Sequence, residues 1–275
     1  MARVLVVGGT GVLGSAAAPA LREAGHEVVI ASRRGEVKLD ALDREAVLRA
    51  VEEVRPDVVV NALTALPAEG PRKESDLEPT NVLRITGTDN LAEAAQAVGA
   101  RLISESFMLV LAPGGGRAIE ALQHLERRTL EVDGTVLRFG LFYGRGSRAT
   151  EGQAAALAKR KLPLPGGAPS VFSYIHMEDA GRAVATAVDR GEPGTLYDVA
   201  DDQPATFGAF LTELARVTGA PKPRRVPLWL VKLFMPYAAG FVAGLDVRLD
   251  NAPLKELGWA PRYPTYADGL SSFSS

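Results

Sequence analysis

The sequence predicts a doubly wound α/β protein with a smaller C-terminal portion, and three observations point there. Short β-branched runs alternate with stretches of helical length through residues 1–140. The first run leads into a glycine-rich turn, and the turn into an alanine-rich helix. After about residue 160 the alternation loosens, and breaks dense in Pro and Gly set in.

Taken in order, strands are expected at Val4–Val7, Val28–Ala31, Val58–Asn61, Leu102–Ser104 and Val136–Phe139. Helices are expected between them, at Gly11–Ala24, Arg44–Val54, Val82–Val98 and Arg117–Val132. Apolar strands this short, separated by helices, imply βαβ units and a parallel sheet covered on both faces. Right-handed crossovers then favour double winding. In the second half, residues 162–169 must form a loop, and residues 221–227 form a second break. Strands are expected at Phe172–Ile175 and Leu196–Val199, and helices at Glu178–Asp189, Phe207–Val217 and Asn251–Leu257. Residues 1–160 thus read as a cofactor-binding core. Residues 161–275 read as a mixed α/β substrate-binding portion whose strands and helices return to that core.

The strongest signal is Gly8-Gly9-Thr10-Gly11-Val12-Leu13-Gly14, between the first strand and the first helix. A dinucleotide pyrophosphate needs close approach to the backbone N–H groups at a helix N-terminus. A Cβ at the crossing points would block that approach. The turn therefore marks a Rossmann-type site, with Gly8, Thr10, Gly11, Val12, Leu13 and Gly14 around the cofactor. After the second strand the chain reads Ser32-Arg33-Arg34, where a carboxylate would serve a free ribose. Arginines attract a 2′-phosphate and can hold it in a bidentate manner, so NADP(H) is favoured. Glu36 lies close enough to serve a ribose, which leaves NAD(H) open.

Composition excludes several other classes. A net charge of −2 offers no basic patch for nucleic acid. With no Cys, disulfide scaffolds, thiolate zinc sites and cysteine nucleophiles drop out. Three widely spaced His do not make a metal site, and there is no Gly-x-Ser-x-Gly elbow for hydrolysis. The N-terminal apolar run is too short for a signal peptide. The longest apolar stretch, Val226–Leu245, contains Lys232 and Pro236 and fits a pocket-covering or dimer-forming helix better than a membrane span. The expectation is a cytoplasmic protein with a small-molecule substrate and, through the Leu228–Phe234 stretch, a homodimer.

These residues resemble the short-chain dehydrogenase/reductase superfamily, and in particular its extended branch of NAD-dependent epimerases and dehydratases. The resemblance covers nearly the whole chain. Thr10-Gly11-Val12-Leu13-Gly14 with Gly8 is similar to that branch's glycine pattern. By the same resemblance, Asp40 contacts adenine, and Ala62 and Leu63 pass the adenine ribose. Asn81 shapes the active centre, and Ser104 lies at the cofactor. Leu137-Arg138-Phe139-Gly140 with Tyr143-Gly144, residues 173–179, and Lys255-Glu256-Leu257-Gly258-Trp259 resemble its later signatures.

The catalytic pattern departs from that family. Its chemistry rests on Ser or Thr with Tyr-x-x-x-Lys, where Lys lowers the Tyr pKa. Between Ser104 and Thr135 there is neither Tyr nor Lys. Aligning Glu126 with the family's helix acid places Ala118 and Leu122 at the two vacant positions. Ser106 is the candidate hydrogen-bond donor to a substrate carbonyl, with capping of the next turn as the alternative. Glu105 reads either as a solvated neighbour or as a pocket acid of raised pKa. Tyr143 is the candidate replacement for the missing tyrosine, with Tyr174 and His176 behind it. His176 also suits helix capping, His124 points away from the vacant Lys position, and His26 sits in an exposed turn. The sequence therefore suggests an NAD(P)H-dependent oxidoreductase for a small apolar carbonyl, enone or imine, with unusual proton delivery. A non-redox isomerase, dehydratase or cyclase on this scaffold, or a silent NADP(H) sensor, is the alternative.

Overall fold

The computed structural model describes residues 1–67, 70–234 and 236–274. In chain order the core comprises β1 (Arg3–Val7), α1 (Val12–Glu23), β2 (Glu27–Ser32), β3 (Val37–Lys38), α2 (Arg44–Val54) and β4 (Val58–Asn61). It continues with α3 (Glu78–Val82), a π turn (Leu83–Gly87), α4 (Thr88–Val98), β5 (Arg101–Phe107), α5 (Arg117–Glu131) and β6 (Thr135–Phe139). Then follow β7 (Leu141–Tyr143), α6 (Arg148–Ala158), β8 (Leu164–Pro165), β9 (Val171–Phe172), β10 (Tyr174–His176), α7 (Met177–Arg190) and β11 (Leu196–Val199). The chain ends with β12 (Ala205–Thr206), α8 (Phe207–Val217), β13 (Arg225–Val226), α9 (Leu228–Phe234), α10 (Pro236–Val242), β14 (Asp246–Val247), α11 (Ala252–Glu256) and α12 (Tyr266–Ser271).

Seven strands form one parallel sheet in the order β11-β6-β5-β4-β1-β2-β3. The strand order reverses between β1 and β4, which opens a crevice at their carboxyl ends. Alternation along each strand sorts the side chains into two layers. Val4, Val6, Val58, Val60 and Ile103 pack with α1 and α7. Leu5, Val7, Val59 and Leu102 pack with α2 and α4. α5 closes the second layer against β5. A separate apolar cluster around Tyr143, Phe172, Tyr174 and Phe210 forms the core of the C-terminal portion. That portion is interleaved with the sheet, because β11 extends it and Trp259 lies in the α1–α7 layer.

Four expectations are corrected. Residues 162–169 and 221–227, expected as a loop and a break, pair in parallel through β8 and β13. The helix predicted from Val82 starts at Glu78, with Pro79 in its first turn, where its missing N–H has no cost. It then passes through the π turn before α4. The strand predicted over Phe172–Ile175 splits at Ser173, whose N–H donates to the Val247 carbonyl while its own carbonyl accepts from Leu141. His26 is not exposed: its Nδ1 accepts from the Ala2 N–H, and Nε2 lies 3.2 Å from Asp189.

Candidate functional site

The glycine turn is built for a dinucleotide. Gly8 has φ +85°, and a Cβ there would sit 2.3 Å from the Ala62 carbonyl oxygen. A Cβ on Gly14 would meet Gly9 Cα at 2.4 Å. The turn is held by the Gly8 N–H to the Ala31 carbonyl and the Gly11 N–H to the Gly8 carbonyl. α1 has no side-chain cap and no acidic residue in its first turn. The first N–H groups of a helix have no partner within it, so those of Val12, Leu13 and Gly14 face the crevice end with the positive pole of the helix behind them. Thr10 is exposed at the rim. This cradle fits a pyrophosphate.

On one side of the turn, β2 ends at Ser32, whose Oγ accepts from the Arg34 N–H. Arg33 and Arg34 are exposed, and neither guanidinium has a partner among the described residues. Asp40, also exposed, spends Oδ1 on the Leu42 N–H. On the other side, Ala62 is buried against the turn, and the Leu63 N–H donates to Asn61 Oδ1. A dinucleotide laid across this turn would have its adenine half over β2 and its nicotinamide half over β4 and β5.

The expected catalytic residues are engaged elsewhere. β5 runs on to Phe107, so period-two alternation aims Ser104 and Ser106 at α5. Ser104 is fully buried and accepts from Thr129 Oγ1, so it is sealed from any nucleotide. The Ser106 hydroxyl donates to Glu126 Oε1 at 2.6 Å. Glu126 also receives Arg138 in a bidentate manner, Nε to Oε1 at 3.0 Å and Nη2 to Oε2 at 2.9 Å, and Arg138 Nη1 reaches Asp198 at 3.2 Å. Ser106 is therefore part of a buried polar network, with no hydroxyl to spare for a substrate. Tyr143 is fully buried, donates to the Thr265 carbonyl and packs edge-on against Tyr174, His176 and Phe210. Burial and then the nearby Asp201 carboxyl push its phenol well above the usual tyrosine range. It is a core residue, not a free acid. Leu122 is buried, and neither it nor Ala118 can carry a proton.

Glu105, between the two serines, points to the opposite face of β5, the face of the glycine turn and α1. It is half-buried and makes no hydrogen bond among the described residues. Burial raises its carboxyl to about 7, while the Arg84 guanidinium pulls the other way. Arg84, on the π turn, is buried and likewise lacks a hydrogen-bond partner. Sequence reasoning missed Arg84; the signal was a lone cation among Val82, Leu83 and Ile85.

The remaining candidates fall into place around this edge. His176 caps α7 through Nδ1, which accepts from the Glu178 N–H, and burial lowers its pKa. His124 contacts Asp89 across α4 and α5. Asn81 is buried with both amide atoms unpaired. It lines a cleft of about 370 Å³ with Glu78, Ile85, Arg117 and His124, walled by α3, the π turn and α5 and not by the glycine turn. Trp229 and Leu233 of α9 are exposed. Among the described residues there is no cluster of potential metal ligands, and no helix is long and apolar enough to cross a membrane.

A parallel sheet with a glycine cradle at its switch point defines a dinucleotide-binding protein of the extended short-chain dehydrogenase/reductase type. The chain belongs to the NAD dependent epimerase/dehydratase family, whose profile matches residues 4–108. A Streptomyces 3-diazoavenalumate denitrifying reductase is 38% identical, with 98% of this chain and 99% of that protein covered. A dTDP-4-dehydrorhamnose reductase of Streptomyces griseus is 29% identical, covering 85% and 82%. In fold, a human epimerase family protein solved with NADPH superposes with a TM-score of 0.80 at 18% identity, covering 99% of each chain.

Proposed function

We propose that the chain is an NADPH-dependent reductase of a small, apolar electrophile of the carbonyl, enone, imine or diazo class. The observation that carries this is a dinucleotide cradle in a chain whose segment from Ser104 to Thr135 has no tyrosine or lysine. Gly8, Gly11 and the N–H groups of residues 12–14 would hold the pyrophosphate, and Arg33 and Arg34 the 2′-phosphate. When bound, the reduced nicotinamide supplies a hydride equivalent to the substrate. The protein binds, orients and excludes water, and its usual tyrosine acid is dispensable only if the proton comes from another group. A diazo substrate suits such a centre, because loss of N2 makes the reduction irreversible. The 38% identical relative is named for that kind of substrate.

The test is to mix the protein with NADPH and a panel containing an arenediazo acid, an enone, an imine and a nucleotide-linked keto sugar. Loss of reduced-nicotinamide absorbance is expected with at least one of the first three. Tight NADPH binding with no oxidation across the panel would favour a sensor. Turnover independent of NADPH would favour a non-redox enzyme.

A further inference from the structure

We propose that Glu105 is the acid that replaces the family's tyrosine, with Arg84 as the positioning residue that holds its conjugate base. The inference rests on the reductase reading. Three placements carry it.

The first is register. Val7, Asn61 and Ser104 lie in one row across β1, β4 and β5. One residue further, at the level of Gly8 and Ala62, comes Glu105. Neighbouring strands are about 4.8 Å apart, so Glu105 lies roughly 10 Å from the glycine turn along the sheet edge. It sits on the β4–β5 side, where the nicotinamide half of a dinucleotide extends.

The second is direction. Ser104 and Ser106 are turned into α5, whereas Glu105 faces the cofactor layer. Of the three, only Glu105 is turned toward the crevice.

The third is the lack of any structural partner. A buried guanidinium is costly unless hydrogen-bonded, and a half-buried carboxyl beside it is costly in proportion. Yet Glu105 and Arg84 each lack a hydrogen bond among the described residues, while Arg84 is only 8% exposed. The two groups lie within each other's field but form no contact ion pair among the described residues, so each keeps its polar atoms available to a ligand. The charged side chain whose field reaches Glu105 is Arg84, from the π turn. On the flanking strands its neighbours are Ala62 and Leu137, which are uncharged.

The chemistry balances. The electrophilic atom gains the hydride and its electron pair from NADPH, which is oxidised, while the Glu105 proton passes to the substrate heteroatom. For a neutral diazo-quinone substrate, the hydride forms the new C–H bond at the ring carbon that carries the diazo group, the C–N bond breaks with its electron pair leaving on N2, and the Glu105 proton goes to the ring oxygen. The Glu105 carboxylate that remains is stabilised by Arg84 until water reprotonates it. A carboxyl held near 7 is poised for this role at neutral pH.

The test uses Glu105→Gln, close to isosteric at a side chain that makes no hydrogen bond among the described residues, with a thermal melt to confirm folding. With a substrate from the panel, kcat should fall about 100-fold or more, the size of a general-acid contribution, while NADPH affinity stays unchanged. Wild-type kcat should decline as pH rises past about 7, and the variant should lose that limb. Arg84→Met should move the limb to higher pH, because the lowering field is gone. Independently of turnover, NMR of carboxyl-labelled glutamate should show one resonance titrating near neutrality that is absent in Glu105→Gln. Retained kcat with an unchanged pH profile in Glu105→Gln, in an active wild-type background, overturns the proposal and leaves the reductase reading intact. Absence of NADPH oxidation by the wild type removes that reading and the proposal with it.

Discussion

Replacing Arg33 by Asp together with Arg34→Ala should invert the cofactor preference. Both guanidinium groups are exposed and have no partner among the described residues, so no bond seen there has to break before they receive a phosphate. Charge-assisted hydrogen bonds are worth about 1.5–3 kcal/mol each, and exposure argues for the low end. Two of them give about 3 kcal/mol, which at 1.4 kcal/mol per decade is roughly a 100-fold loss of NADPH affinity. The new carboxylate adds repulsion to the 2′-phosphate, and it offers an acceptor to the ribose hydroxyl of NADH. NADH affinity should therefore hold or improve. Calorimetric titration of both nucleotides at two salt concentrations gives the ratio directly, and wild-type NADPH binding should weaken with salt. Equal weakening of both nucleotides, or no change in either, would refute the assignment of these two arginines.

Three further outcomes are expected. Glu126→Ala strands the Ser106 hydroxyl and removes the bidentate partner of Arg138, so denaturant unfolding should show a loss of about 3–5 kcal/mol. Adding Arg138→Met should recover part of that loss, and strict additivity would argue against a coupled network. Gly8→Ala should abolish nucleotide binding and destabilise the fold, since the backbone conformation alone costs about 1–2 kcal/mol before the clash with Ala62; calorimetry and melting check both. Stability should fall with rising pH above the ordinary aspartate range of 3.8, because buried Asp201 keeps its proton up to about 8 while the unfolded chain has released it. Asp201→Asn should flatten that slope in pH-dependent melts, leaving the smaller contribution of Glu105.

The core strands were legible because β-branched runs buried on both faces look like little else. Val58–Asn61 and Leu196–Val199 fall where they were expected. The glycine turn was legible because its spacing answers a steric need. What escaped was direction. Drawn only to Ser104, β5 gave no basis for choosing between Glu105 and Ser106. Extended to Phe107, its alternation sends the two to opposite faces. Tyr143 follows a signature that resembles its family's, yet the aromatic packing of Tyr174 and Phe210 that seals it comes from residues distant in sequence. The π turn was invisible to periodicity, which assumes one uniform pitch, and it is the π turn that sets where Arg84 points.

The interleaving of the two portions has a consequence for how the chain is made. α1 leaves the ribosome early, but α7, which covers the layer it belongs to, follows much later. β6 presents an open edge until β11 emerges to pair with it. Trp259, whose indole N–H donates to the Asp179 carbonyl, pins α7 only when synthesis is nearly complete. Through most of translation the nascent sheet therefore exposes an apolar face and an unpaired strand, the features that invite pairing with a neighbouring chain. A chain cut short before Leu196 would be left in that state, and the C-terminal portion could not be exchanged between relatives as a detachable module.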